Sequence, residues 1–177
     1  MIINFPNYWS APSKLLQIDG CCGLVTAWGV LKYFKKRTAS KRLIESCQYT
    51  PEHGVFMIAL AVALREHGLD VKFFSDIDSN PNAIERLCYK TADQIGVEIN
   101  NSISEKSLIS QINSISVPIV LYNTDENEGH ISPLIGYENK KVLLPYSETG
   151  KMNIKEFVGR WNEKEILKQC IVASLVK

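Results

Sequence analysis

Gln17-Ile18-Asp19-Gly20-Cys21-Cys22-Gly23-Leu24 marks the point where an irregular lead-in gives way to a patterned chain. Before it, Pro6, Pro12 and Gly20 interrupt any regular element. After it, Leu24, Val25, Trp28, Val30, Leu31 and Phe34 recur at helical spacing, and Lys32, Lys35 and Lys36 mark a wet side and an end. Cys22 therefore falls in the first turn of an apolar helix, where backbone N–H groups point outward without partners. The positive end of the helix is expected to favour a thiolate there and to lower the thiol pKa. Glycines at 20 and 23 let the backbone bend sharply and let another group come close. Gln17 stands on the loop that leads into this turn. Its side-chain amide can donate to an oxyanion beside the N–H of the nucleophile residue, and one such donor is typically worth ~3 kcal/mol in a transition state.

Beyond this helix the chain stays helical for a long stretch. Ser40 to Cys47 reads as a short helix, Pro51-Glu52-His53-Gly54 as a break, and Val55 to His67 as an apolar helix stopped by Gly68. Leu69 to Phe74 alternates as a strand does. Asn82 to Ile95 and Ser104 to Ile115 read as helices, the second opened by Ser104. Strands then dominate: Val117 to Tyr122, a polar loop from Asn123 to Gly129, His130 to Tyr137, a turn, and Lys141 to Leu144. Asn153 to Trp161 suggests a helix and Cys170 to Val176 a final strand. Helices first and strands later predict an α+β architecture, with an N-terminal helical part packed on a C-terminal antiparallel sheet, rather than alternating βαβ units. No linker divides the chain, so residues 1–177 are expected to form one domain.

Composition narrows the chemistry. The 20 basic and 19 acidic residues give a formal net charge of +1, which argues against a dedicated nucleic-acid binder. Lys35-Lys36-Arg37 is read as a helix-end cluster. No segment approaches the ~18 apolar residues needed to span a bilayer. The N-terminus lacks the pattern of a signal peptide, which predicts a cytoplasmic protein or one exported without that mark. The five cysteines are odd in number and form no CxxC pair, and the three histidines are widely spread. Neither a disulfide framework nor a metal site is expected, and no cofactor is called for. A free thiol doing chemistry fits this set better.

At this point the residues resemble a known family. Gln17 followed by Cys22-Gly23, Gly54 before an apolar helix, Val117-Pro118-Ile119-Val120-Leu121, and Gly129-His130-Ile131-Ser132-Pro133-Leu134-Ile135-Gly136-Tyr137 together resemble the bacteriocin-processing, double-glycine leader peptidases of the papain-like cysteine peptidase superfamily. Asn153 to Trp161 resembles the helix that follows the active site in that family. The resemblance spans about residues 10–176. It implies a papain-like fold and a hydrolase acting on an amide bond of a peptide or protein. Cys22 would be the nucleophile, His130 its base and Gln17 an oxyanion donor. One departure stands out. The family usually orients its histidine with an Asp on the next strand, whereas Val142-Leu143-Leu144-Pro145-Tyr146-Ser147-Glu148 holds neither Asp nor Asn. Ser147, Glu148 or a backbone carbonyl is left to take that role.

Other readings stay open on the sequence. Cys22 could be a buried structural thiol, and Cys21 is a rival nucleophile one residue out of register. His53 and His67 are read as structural, and Cys47, Cys88, Cys170, Trp28, Phe56, Phe157 and Trp161 as core. A domain that has lost catalysis and binds a peptide is the main alternative, and a deamidase or acyltransferase effector is another.

Overall fold

In the computed structural model, which describes residues 2–176, helices and strands follow the order expected for an α+β protein. In chain order they are α1 (Ser13–Leu16), α2 (Cys22–Tyr33), α3 (Ser40–Ser46), α4 (Met57–Glu66), β1 (Leu69–Ser75), α5 (Ala83–Ile95), β2 (Glu98–Asn101), α6 (Glu105–Ser110), β3 (Ser116–Asn123), β4 (Gly129–Pro133), β5 (Gly136–Glu138), β6 (Lys141–Leu143), β7 (Lys151–Asn153), α7 (Ile154–Trp161) and β8 (Cys170–Leu175). No helix among the described residues is long and apolar enough to cross a membrane.

The main sheet has the strand order β2-β1-β8-β3-β4, and β5-β6-β7 form a separate small sheet. Every pair in the main sheet is antiparallel except β1–β2, which is parallel. The sheet is therefore mixed, where the sequence suggested an antiparallel one. The parallel pair arises because α5 carries the chain back between β1 and β2, the crossover that parallel pairing requires.

The core forms where α4 lies against β1. Met57 to Leu64 are all buried, so this helix has no wet face. Such all-round burial marks a central helix, and α2, α3 and α5 pack around it. α5 carries its own start and stop signals. Asn82 and Glu85 form a reciprocal capping box, and Gly96 closes the helix in the left-handed region at φ 76°.

Two predicted elements end early for physical reasons. The helix expected to run to Ile115 stops at Ser110, and Asn113 instead closes a turn with Ser116. The strand expected from His130 to Tyr137 is two strands in two sheets. The Leu134 N–H donates to Pro118 O (2.8 Å) in the main sheet, and the next N–H, Ile135, donates to Leu143 O (3.0 Å) in the small one. The chain thus passes from one sheet to the other just after Pro133, a residue that has no N–H for a ladder.

Candidate active site

Cys22 is the first residue of α2, and the helix's first i to i−4 bond runs from Val25 N–H to Cys21 O (2.9 Å). Cys21 caps the helix without a side-chain hydrogen bond. The N–H groups of Cys22 and Gly23 are therefore without helical partners, and they favour the charged form of the Cys22 sulfur beside them. Gly20 permits the approach to the helix by adopting φ +65°, in the left-handed region. Gly23 permits close packing, since a Cβ there would stand 2.7 Å from Val55 Cβ.

The N–H of Ile131, on β4, favours the charged form of the sulfur in the same way. Its availability follows from topology. β4 is an edge strand, so half of its backbone groups face away from β3. Ile131 is opposite Leu121, whose own N–H is directed to Gln169 O on the β8 side. The outward N–H of Ile131 meets Cys22, and its outward carbonyl accepts from Thr26 Oγ1 (3.2 Å) one turn along α2. The free edge of the sheet thus serves as the seat of α2.

His130 immediately precedes Ile131 on this edge. Its Nε2 is 2.9 Å from the carbonyl oxygen of Tyr146. A carbonyl can only accept, so Nε2 carries the hydrogen and Nδ1 keeps the lone pair of the neutral ring. Tyr122, the cross-strand partner of His130, packs edge-on against the ring with centroids 5.5 Å apart. The start of α2 thus lies against β4 at Ile131, the residue after His130, although no hydrogen bond joins the Cys22 and His130 side chains among the described residues and His130 is not among the residues that line the Cys22 cleft. Tyr146 is the residue whose part was not singled out by name. Its contribution is a backbone carbonyl, which every residue carries.

Electrostatics set the resting state of the pair. Burial pushes the Cys22 thiol above its ordinary value, and the N–H groups of Ile131, Gly23 and Cys22 offset this only in part. The expectation that the helix terminus lowers this pKa is therefore corrected, because desolvation outweighs the donors. Burial likewise pushes the His130 imidazole below its ordinary 6.5, against the pull of the Tyr146 carbonyl. Both shifts favour a neutral thiol beside a neutral imidazole.

Cys22 lines a cleft of about 1110 Å³, together with Gly20, Val55, Phe56, Leu121 and Ile131. Cys21 is engaged elsewhere, with its sulfur 3.3 Å from Tyr8 Oη. Gln17 caps the C-terminus of α1 and is exposed, makes no side-chain hydrogen bond among the described residues, and is not part of the cleft wall. Phe56, expected in the core, is half-buried on the cleft wall, and Trp28 is half-buried beneath Lys32 Nζ. Phe157, Trp161 and the other three cysteines are buried. His67 is structural, bonding Ala63 O (2.7 Å) and Thr38 Oγ1 (2.9 Å), whereas His53 lies exposed at the cleft.

No family model and no curated protein matches the chain. Solved structures do. One is a double-glycine motif protease from an AMS/PCAT transporter in complex with the leader peptide, at TM-score 0.60 and 16% identity over 99% of this chain and 94% of that one. The chain shares the fold of that protease. A second neighbour is the peptidase domain of Streptococcus ComA, a bi-functional ABC transporter of a quorum-sensing pathway, at TM-score 0.57 and 11% identity over 88% of this chain and 91% of that one. The papain-like α+β architecture read from the sequence is thus the architecture of both neighbours across nearly their full lengths.

Proposed function

We propose that this chain is a cysteine peptidase that cleaves an amide bond of a peptide or protein, with Cys22 as nucleophile and His130 as general base. The observation that carries this reading is the convergence at the β4 edge. A thiol at a helix N-terminus opens onto a large cleft, and an imidazole one residue from the thiol's own N–H donor has its Nε2 committed to a carbonyl. That commitment leaves Nδ1 as the proton acceptor. As substrate closes over the thiol, Nδ1 takes the Sγ proton and the sulfur adds to the scissile carbonyl carbon. The imidazolium then returns the proton to the leaving amine, and water, activated by the same ring, releases the acyl group. The N–H of Cys22 is one donor to the tetrahedral oxyanion, and the Gln17 amide, with no competing side-chain bond among the described residues, is the second. The leader peptide bound by one structural neighbour supports a peptide as the substrate.

The test is cleavage of a mixed peptide pool, read by mass spectrometry. Cys22→Ala and His130→Ala are expected to abolish product formation while retaining the fold. Gln17→Ala is expected to lower kcat about 10²-fold with little change in KM. Product formation that survives Cys22→Ala overturns the reading. The neutral resting pair, and the absence of a carboxylate bonded to His130 among the described residues, favour one second reading, a peptide-binding domain without turnover. Binding of peptides with no product from the wild-type chain would select it.

A further inference from the structure

The walls of the Cys22 cleft are strongly acidic. Asp19 and Glu52 flank it on the loops beside α2 and α4. Asp76, Asp78 and Glu85 flank it from the segment between β1 and α5. Glu128 precedes β4, and Glu163 and Glu165 follow α7. Eight of the chain's 19 Asp and Glu side chains therefore face this one cleft, whereas Lys164 is the only Lys or Arg among the described residues to do so. Among the described residues, none of the eight forms an ion pair with Lys or Arg. Glu52 has only the His53 ring, at 3.7 Å. The near-zero net charge of the molecule conceals this concentration. The carboxylates do not gather at a point, since no group of three among the described residues could hold a metal ion. They are distributed along the walls, while Val55, Phe56, Leu121 and Ile131 supply apolar surface between them.

A low-dielectric cleft lined by one sign of charge focuses the field on whatever enters it. Charges spread over several elements suit a ligand that carries several cations along an extended chain. Apolar patches between them suit side chains interspersed with those cations. Resting on the peptidase reading above for the identity of the site, we propose that the substrate is a cationic peptide segment, rich in Lys or Arg and interspersed with apolar residues. The acidic walls select it by charge and present it to Cys22.

The experiment separates substrate class from catalysis by using the Cys22→Ala chain for binding. A fluorescein-labelled decapeptide of alternating Lys and Leu, and its Glu–Leu counterpart, are titrated by fluorescence anisotropy at low and at physiological salt. The Lys–Leu peptide is expected to bind and to weaken as salt rises, and the Glu–Leu peptide not to bind. The triple variant Glu52→Gln/Glu128→Gln/Glu165→Gln is expected to weaken Lys–Leu binding about tenfold at low salt. A control triple outside the cleft, Glu66→Gln/Asp93→Asn/Glu138→Gln, removes the same net charge and is expected to leave binding nearly unchanged. In the wild-type chain, saturating Lys–Leu peptide is expected to slow iodoacetamide labelling of Cys22. Equal binding of both peptides, equal losses in the two triples, or binding that leaves Cys22 labelling unaltered each overturns the proposal. Selective, protective binding without any turnover of peptide pools leaves the substrate class standing and removes only the peptidase reading.

Discussion

At the scale of single residues, the balance at Cys22 and His130 makes two pH predictions. The thiol is shifted up and the imidazole down, so the resting pair is not a thiolate–imidazolium ion pair. Iodoacetamide labelling of Cys22 should therefore keep rising through the alkaline range, and a rate already at plateau in mild acid would contradict this. His130 also links stability to pH. Its folded pKa lies below the 6.5 of an ordinary imidazole, so the unfolded chain binds more protons as pH falls through that value. Stability should drop from there down to the folded pKa and level off below it. His130→Gln, compared with the parent by urea denaturation at pH 7.5 and pH 5, should lose that slope. The sequence singled out the proposed nucleophile and base because Cys, Gly and His are distinctive types in a distinctive order. The Tyr146 carbonyl, the Ile131 N–H and the acidic cleft were illegible for different reasons. Backbone groups are carried by every residue, and the carboxylates of the cleft are scattered from position 19 to position 165.

At the scale of elements, α2 is held by closeness. Gly23→Ala would drive a methyl against Val55 Cβ and Ile131 Cδ1, the latter 3.3 Å away. Overpacking of this kind costs about 1–3 kcal/mol, more than the ~1 kcal/mol that alanine gains over glycine in a helix. A lower urea midpoint and slower Cys22 labelling are expected together, because the same shift tilts the thiol off the β4 edge. By contrast, Asn82→Ala removes the cap of α5 at a residue that does not itself line the cleft. It should cost about 1 kcal/mol and leave the labelling rate alone. Elements with a strong apolar period, such as α2, α4, β3 and β8, were readable from sequence. β2 and β7 were not, because Glu-Ile-Asn-Asn and Lys-Met-Asn are short, polar and exposed to half-buried, with no alternation to detect. The division of β4 from β5 was hidden as well, since an apolar run reads the same whether one sheet or two take it up.

At the scale of the whole molecule, the N-terminal segment holds the site from behind. Ile3 N–H donates to Ile135 O (2.9 Å), Tyr146 Oη donates to Pro6 O (3.0 Å), and the rings of Phe5 and Tyr8 pack on Tyr146. Tyr146→Phe leaves the carbonyl that meets His130 but strands the Pro6 carbonyl. It should cost about 1–2 kcal/mol in denaturant, with a smaller loss of peptide cleavage than His130→Ala produces. The order of the main helices and the α+β class were accessible from patterning, whereas the parallel β1–β2 pair and this strap were not, the strap because its residues carry no periodicity. A consequence follows from the handover after Pro133. The imidazole belongs to the large sheet, but the oxygen that fixes its tautomer belongs to the loop that follows β6 in the small one. Whatever levers the small sheet outward would release the ring to flip its proton, silencing the proposed catalysis from the rear without occupying the groove.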